Sequence, residues 1–315
     1  MIEMVIDARK KDLGGFEVGR VLPFARRRMV GPFIFLDQMG PAEFAPGADA
    51  VNVRPHPHIG LSTLTYLFEG EILHRDSLGY TQPIRPGEVN WMTAGRGIVH
   101  SERTDPVRIR TGGKLHGMQA WIALPDDKEE VEPSFAHHHG SDDLPAYEQG
   151  GLFARLVAGE AYGAKAAVET ASPLFYVHWE MAEGVRTAPP PGRGAGGMSE
   201  RALYVARGEV EIGDHTFSEG QMVVLEPHAE PTVKALRPSS VMVLGGEPVG
   251  ERIIWWNFVS SSQARMDQAK ADWAAGRMKL PHEDDLEFIP LPDEPSVKSA
   301  PEPAPQPKPE PTHPV

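Results

Sequence analysis

Two short runs of this chain hold the residues best suited to chemistry: His56-Pro57-His58 and His100-Ser101-Glu102. Side chains alternate across a β-strand with a period of two, so the outer residues of each run face the same way. On neighbouring strands of a barrel, the two runs would bring three imidazoles and one carboxylate to a single point. Three nitrogen donors and one oxygen, with positions left for water or substrate, suit Fe(II), Mn(II), Ni(II) or Zn(II). A redox-active ion with open positions can do oxygen chemistry. A lone strand histidine is usually a hydrogen-bonded or surface residue, but two such runs in one segment favour a site. Metal binding through His56, His58, His100 and Glu102 is the first expectation.

The elements that must position these residues read as strands. From Phe16 to about Leu124, short apolar runs such as GPFIFLDQMGP (31–41), LSTLTYLFEG (61–70) and GMQAWIALP (117–125) alternate with Gly and Pro. That pattern indicates a β-sandwich or barrel. No long amphipathic helix interrupts it, which argues against a βαβ fold. Residues 126–150 turn acidic and polar and read as a connector. A second strand-rich stretch, about 151–250, includes the hairpin pattern GEVEIGDHTFSEGQMVVL, and suggests a second copy of the same barrel. Ser260–Met278 is the best helix, with Ser260 and Gln263 as a capping box and Met266, Ala269 and Trp273 as its core stripe. Ten of the last 26 residues are proline, so the chain from about 293 cannot bury a core and is expected to be disordered.

Composition bounds the function. The 315 residues suffice for two domains with their own cores. With no cysteine, a disulfide, a thiolate metal site and a Cys nucleophile are all excluded. A net charge of −13, from 31 basic and 44 acidic residues, opposes non-specific nucleic-acid binding. Arg26-Arg27-Arg28 reads as a solvated strand end rather than a nucleic-acid patch. The N-terminus lacks the apolar core of a signal peptide, and no apolar run is long enough to span a membrane. A soluble, cytoplasmic protein is expected.

The segment 54–102 has the layout of a cupin metal site, except that the positions four and five after the HxH pair hold Ser62 and Thr63 rather than glutamate. The carboxylate is Glu102, beside His100. This arrangement, with PHPHIGLSTLTYLFEGEI, NWMTAGRGIVHSE, LHGMQAWIALP and the downstream GGEPVGERIIWWNFVSSS, resembles the pirin family over roughly residues 14–292. The resemblance implies an all-β fold of two tandem cupin (jelly-roll) barrels with a C-terminal helix. The expected division is residues 1–130 for a metal-binding barrel, 131–150 for a connector, 151–258 for a metal-free barrel, 259–292 for the helix and extension, and 293–315 for the tail. It implies His56, His58, His100 and Glu102 as ligands, with Fe(II) as the ion and manganese, nickel, zinc or copper as alternatives. It further implies a quercetin 2,3-dioxygenase type of activity, in which O₂ opens a flavonol ring, carbon monoxide is released and Glu102 serves as general base. Other members are described as transcriptional cofactors or modulators of metabolic enzymes, so a protein partner is the second reading. A monomer is expected, with no direct nucleic-acid or membrane partner.

Around the ligands, His74 is placed either to orient a ligand or to stabilise a turn with Asp76. Phe33, Phe35, Trp91 and Met92 are candidates for an apolar substrate wall, against ordinary core packing. Gly95 and Gly97 are expected to form a bend or tight turn before His100. His137-His138-His139 reads as an incidental polar loop, since consecutive strand residues diverge. His178-Trp179-Glu180 copies the second run's spacing but lacks an HxH partner.

Overall fold

Apolar runs of strand length, each cut off by a Gly or Pro turn, build two barrels of paired sheets in a computed structural model that describes residues 1–12, 17–48, 51–193 and 197–293. The first barrel closes a seven-stranded sheet over a four-stranded one. Its large sheet runs in the spatial order Ser134–His138, Val89–Thr93, Leu61–Glu69, Gly113–Ala123, Phe33–Phe44, Glu17–Leu22, Arg9–Asp12. The small sheet is ordered Asn52–His58, Ile98–Arg103, Ile72–Asp76, Thr81–Ile84. The second barrel repeats the plan, with a large sheet centred on Leu174–Met181, Glu200–Arg207 and Ser239–Gly246, and a small sheet around Glu209–Ile212. The ladders between the described strands are antiparallel, and the fold is that of a bicupin.

The two large sheets face each other. Phe33, Leu64, Tyr66, Met118 and Ile122 of the first form one buried cluster with Tyr176, Ala202, Tyr204, Met242 and Leu244 of the second. Each fully buried large apolar side chain stabilises by about 1.5–3 kcal/mol, whereas half-exposed ion pairs contribute about 0–1 kcal/mol. Apolar burial therefore dominates the seam, and ion pairs such as Arg27 with Glu200 at 3.1 Å only trim it. That pairing also corrects the reading of Arg26–Arg28: Arg27 binds Glu3 and Glu200 instead of ending in solvent.

Chain pairing differs from the sequence division in three places. Ile2–Asp7 pairs with Gln221–Leu225 and so adds a strand to the second barrel's sheet. The stretch read as a connector carries two strands, Ser134–His138 on the edge of the first barrel and Ala146–Gln149 on the edge of the second. After the second barrel, Ile253–Trp255 and Phe258–Ser260 form a hairpin that returns to the first barrel, where Phe258 bridges Ile59. Each pairing spans a sequence separation that local periodicity does not report. The C-terminal helix is Gln263–Ala274, and Ser262, not Ser260, caps it by accepting from the Arg265 N–H at 3.3 Å. Three consecutive serines offer equivalent caps. Ser260 is held away by its hydrogen bond to Glu129 at 3.2 Å. Met266, Ala269 and Trp273 are buried against Ile59, Val99 and Phe258, as their spacing predicts. The proline-rich tail beyond 293 lies outside the described residues. No helix among the described residues is long and apolar enough to cross a membrane.

Candidate metal centre

Asn52–His58 and Ile98–Arg103 lie side by side, with His100 opposite His56 and Ile98 opposite His58. Alternation then turns His56, His58 and His100 inward together. One ligand nitrogen from each falls within 4.8 Å of the others, and among the described residues no other such group of three exists. All three are buried. Between His100 and Glu102 the register shifts, so that Glu102 stands opposite Val53. Glu102 lines the same pocket but is not one of the three clustered groups.

Hydrogen bonds around the rings assign their tautomers. His56 Nδ1 donates to the Arg54 carbonyl and His58 Nδ1 to the Asn257 carbonyl, each at 2.9 Å. His100 Nδ1 faces His74 Nδ1 at 3.4 Å, and His74 Nε2 donates to Asp76 Oδ2 at 2.9 Å. The other Asp76 oxygen accepts the backbone N–H groups of Leu78, Gly79 and Tyr80. Both readings of His74 hold: it orients a clustered ring and stabilises a turn through Asp76. With every Nδ1 engaged, the Nε2 lone pairs of His58 and His100 point at each other across 3.1 Å. Two facing acceptors repel unless a cation sits between them. The residues present therefore fit a divalent metal with imidazole preference.

Electrostatics agree. Burial pushes His56 down to about 4 and His58 and His100 well below the usual histidine value, with neighbouring imidazoles adding to the effect. All three rings are neutral at pH 7, the form that ligates. Burial pushes the Glu102 carboxyl up to about 7.

The three rings open into a cavity of about 520 Å³, within the range of about 300–1,000 Å³ typical of small-ligand sites. Phe35 and Trp121 stack there at 4.0 Å with planes 12° apart, and Trp121 meets His58 edge-on at 5.0 Å. Arg20 lies over Phe35 at 4.4 Å and forks onto Asp37 with two bonds of 2.8 Å. Burial outweighs that guanidinium and raises the Asp37 carboxyl.

Of the four residues expected as an apolar wall, only Phe35 lines the cavity. Phe33 and Trp91 lie in the seam between the barrels, and Met92 packs in the same core cluster as Phe35 and Trp121 without lining the cavity. Both faces of this sheet are apolar, so residue type alone does not distinguish wall from seam. Trp121 and Trp256 were missed. Trp121 sits directly opposite Phe35, a pairing that alternation in LHGMQAWIALP hints at.

The remaining candidates have other partners. His137 and His138 lie on the edge strand Ser134–His138, not in a mobile loop, and His137 Nδ1 donates to Asn90 at 2.7 Å. His178 accepts from Tyr66 at 3.0 Å and donates toward Glu180 and Ser240, which ties it into the seam. Gly95 and Gly97 form a tight turn closed by the Gly97 N–H on Ala94 O.

Fold and centre together define a bicupin with a three-histidine, metal-type site in its N-terminal barrel. The Pirin family model matches residues 15–122, and the Pirin C-terminal cupin domain matches residues 176–279. This chain belongs to the pirin family. It is 62% identical over 294 residues to a pirin-like protein of Caulobacter vibrioides, covering 93% of this chain and 100% of the relative. A crystal structure of quercetin 2,3-dioxygenase from Acinetobacter baumannii superposes with a TM-score of 0.84 at 32% identity, covering 93% and 96% of the two chains. The fold is also shared, at 20% identity and a TM-score of 0.61, with the Escherichia coli pirin YhhW, whose structure is a nickel(II) complex; coverage is 79% and 100%.

Proposed function

We propose that this protein is an Fe(II)-dependent dioxygenase that opens the ring of a flavonol with O₂. The observation that carries the proposal is the convergence of His56, His58 and His100, with the Nε2 atoms of His58 and His100 3.1 Å apart, in the lining of an aromatic-walled cavity. The similarity to the Acinetobacter baumannii enzyme supports the choice of substrate. His56, His58 and His100 would hold the ion, and Glu102 would complete the set. When bound, the ion would supply Lewis acidity and a redox centre for O₂.

The protein's own residues do the rest. Phe35, Trp121 and Trp256 put aromatic surface into the cavity wall, against which a planar flavonol would pack. Glu102, which lines the cavity beside the three histidines, would take the proton of the flavonol 3-hydroxyl as general base. Arg20 and Asp37 add a charged pair to the cavity lining that would bind phenolic hydroxyls.

The test is O₂ consumption after anaerobic reconstitution with Fe(II). Quercetin should drive O₂ uptake and loss of the flavonol absorbance, and His56→Ala should abolish both. Glu102→Gln should lower turnover by at least 10²-fold, the scale of a general base. No uptake by the iron-loaded wild type across a panel of flavonols refutes the reading.

A further inference from the structure

The outer wall of the cavity comes from the far end of the chain. After the C-terminal helix, residues 279–293 run back across the first barrel without regular secondary structure. The Ile289 N–H donates to the Pro55 carbonyl at 2.8 Å, immediately before ligand residue His56. Trp273 Nε1 donates to the Ile289 carbonyl at 3.0 Å, so helix and strap are fastened at one residue. Asp284 accepts both Nε and Nη2 of Arg103 at 2.7 Å, and Glu287 accepts from the same guanidinium at 3.0 Å. Arg103 directly follows Glu102. The strap thus clamps both strands that carry the candidate ligands, next to the ligands themselves. Its Ile289 side chain is half-buried and lines the cavity.

We infer that residues 281–291 form a closing strap over the metal pocket, and that Ile289 sets how large a ligand the pocket admits. This deepens the proposed function and rests on the cavity being the place where ligand meets metal. Two features argue for a fastened element rather than a fortuitous contact. The Arg103–Asp284 fork is bidentate, with side chains only 15% and 12% exposed, and such forks combine energy with geometric specificity. The strap's hydrogen bond to Pro55 fastens it to the strand that bears His56 and His58.

The strap's two roles separate in experiment. Full-length protein is loaded with Ni(II) and challenged with excess EDTA. The double variant D284N/E287Q should release nickel at least tenfold faster than wild type, because the strands flanking His56 and Glu102 are no longer held. Release at the wild-type rate overturns the strap. In parallel, anaerobic affinity for quercetin and for a single-ring catechol is measured on the nickel-loaded protein. Ile289→Trp should weaken quercetin at least tenfold and catechol less than twofold, while Ile289→Ala leaves quercetin binding equal or tighter. Equal effects of Ile289→Trp on both ligands, or none, overturn the role of Ile289. If the wild type binds no flavonol, the functional proposal fails, and the EDTA experiment alone decides the strap.

Discussion

His100 gains its orientation through two buried residues that are not ligands, and that dependence can be measured. Its Nδ1 meets His74, which in turn is fixed by Asp76, whose second oxygen is saturated by three backbone N–H groups. Removing the partner of a ligating imidazole typically costs 10–100-fold in metal affinity. Asp76→Asn and His74→Phe should each weaken metal binding by that factor, as read by competition with a chelator, with far-UV circular dichroism unchanged. An unchanged metal affinity in both variants would show that the relay is only structural. At this scale the sequence was most legible. His56, His58 and His100 were found because a period of two is a local property that survives any topology. The apolar wall was not. Phe33 and Trp91 differ from Phe35 only in which layer their face meets, and that is decided by strands far away in sequence.

At the scale of elements, the turn Ile59-Gly60 joins the ligand strand to the next strand under the returning hairpin. Gly60 has φ +68°, and a Cβ there would stand 2.0 Å from the Val259 carbonyl oxygen. A side chain at this position meets both a left-handed backbone and a rigid neighbour. Gly60→Ala should destabilise the protein by more than about 1 kcal/mol, the scale for a residue forced into an incompatible backbone conformation. Because the same hairpin supplies the Asn257 carbonyl to His58, metal affinity should fall with it. Denaturant titration and chelator competition on one sample would test the link; wild-type values for both would break it. Trp256, at the tip of that hairpin, has φ +52°, unusual for an aromatic residue, and faces the metal cavity. Such strain clusters at functional sites. The hairpin was visible in the sequence only as IIWWNFVSSS, an apolar run with an asparagine. The identity of the barrel it covers was not legible.

Across the whole molecule, the seam between barrels carries histidines that titrate against folding. Burial lowers His116 to about 4, and it lowers His178 as well. His116 faces Gln38, which also receives the Tyr204 hydroxyl from the second barrel. In the unfolded chain these rings titrate near 6.5. Above that value they are neutral in both states and do not affect stability. As pH falls from about 6.5 toward 4, the unfolded chain takes up a proton that folded His116 refuses, so stability is lost by up to about 1.4 kcal/mol per pH unit for that ring, and His178 acts in the same direction. Metal-free protein should therefore lose denaturant stability over this window, and His116→Gln should make the slope shallower. An identical slope in the variant would remove His116 from the account. The two-barrel plan was legible from repeated strand runs, because each strand of length five to ten declares itself locally. The exchange of chain ends was not, since the partner of Ile2–Asp7 lies more than 200 residues away.

That exchange sets a timetable for synthesis. The three clustered histidines have all been made by residue 100, yet the carbonyl that orients His58 belongs to Asn257, and the strap that clamps Glu102's strand comes later still. At roughly 5–20 residues per second, the ribosome needs about 8–30 s to travel from Glu102 to Asn257. Throughout that interval the nascent chain displays three imidazoles without the support that aligns them. The centre is completed last, when the strap at residues 281–291 reaches the strands made near the N-terminus. The three clustered histidines thus gain their full set of partners only after the strap has been made.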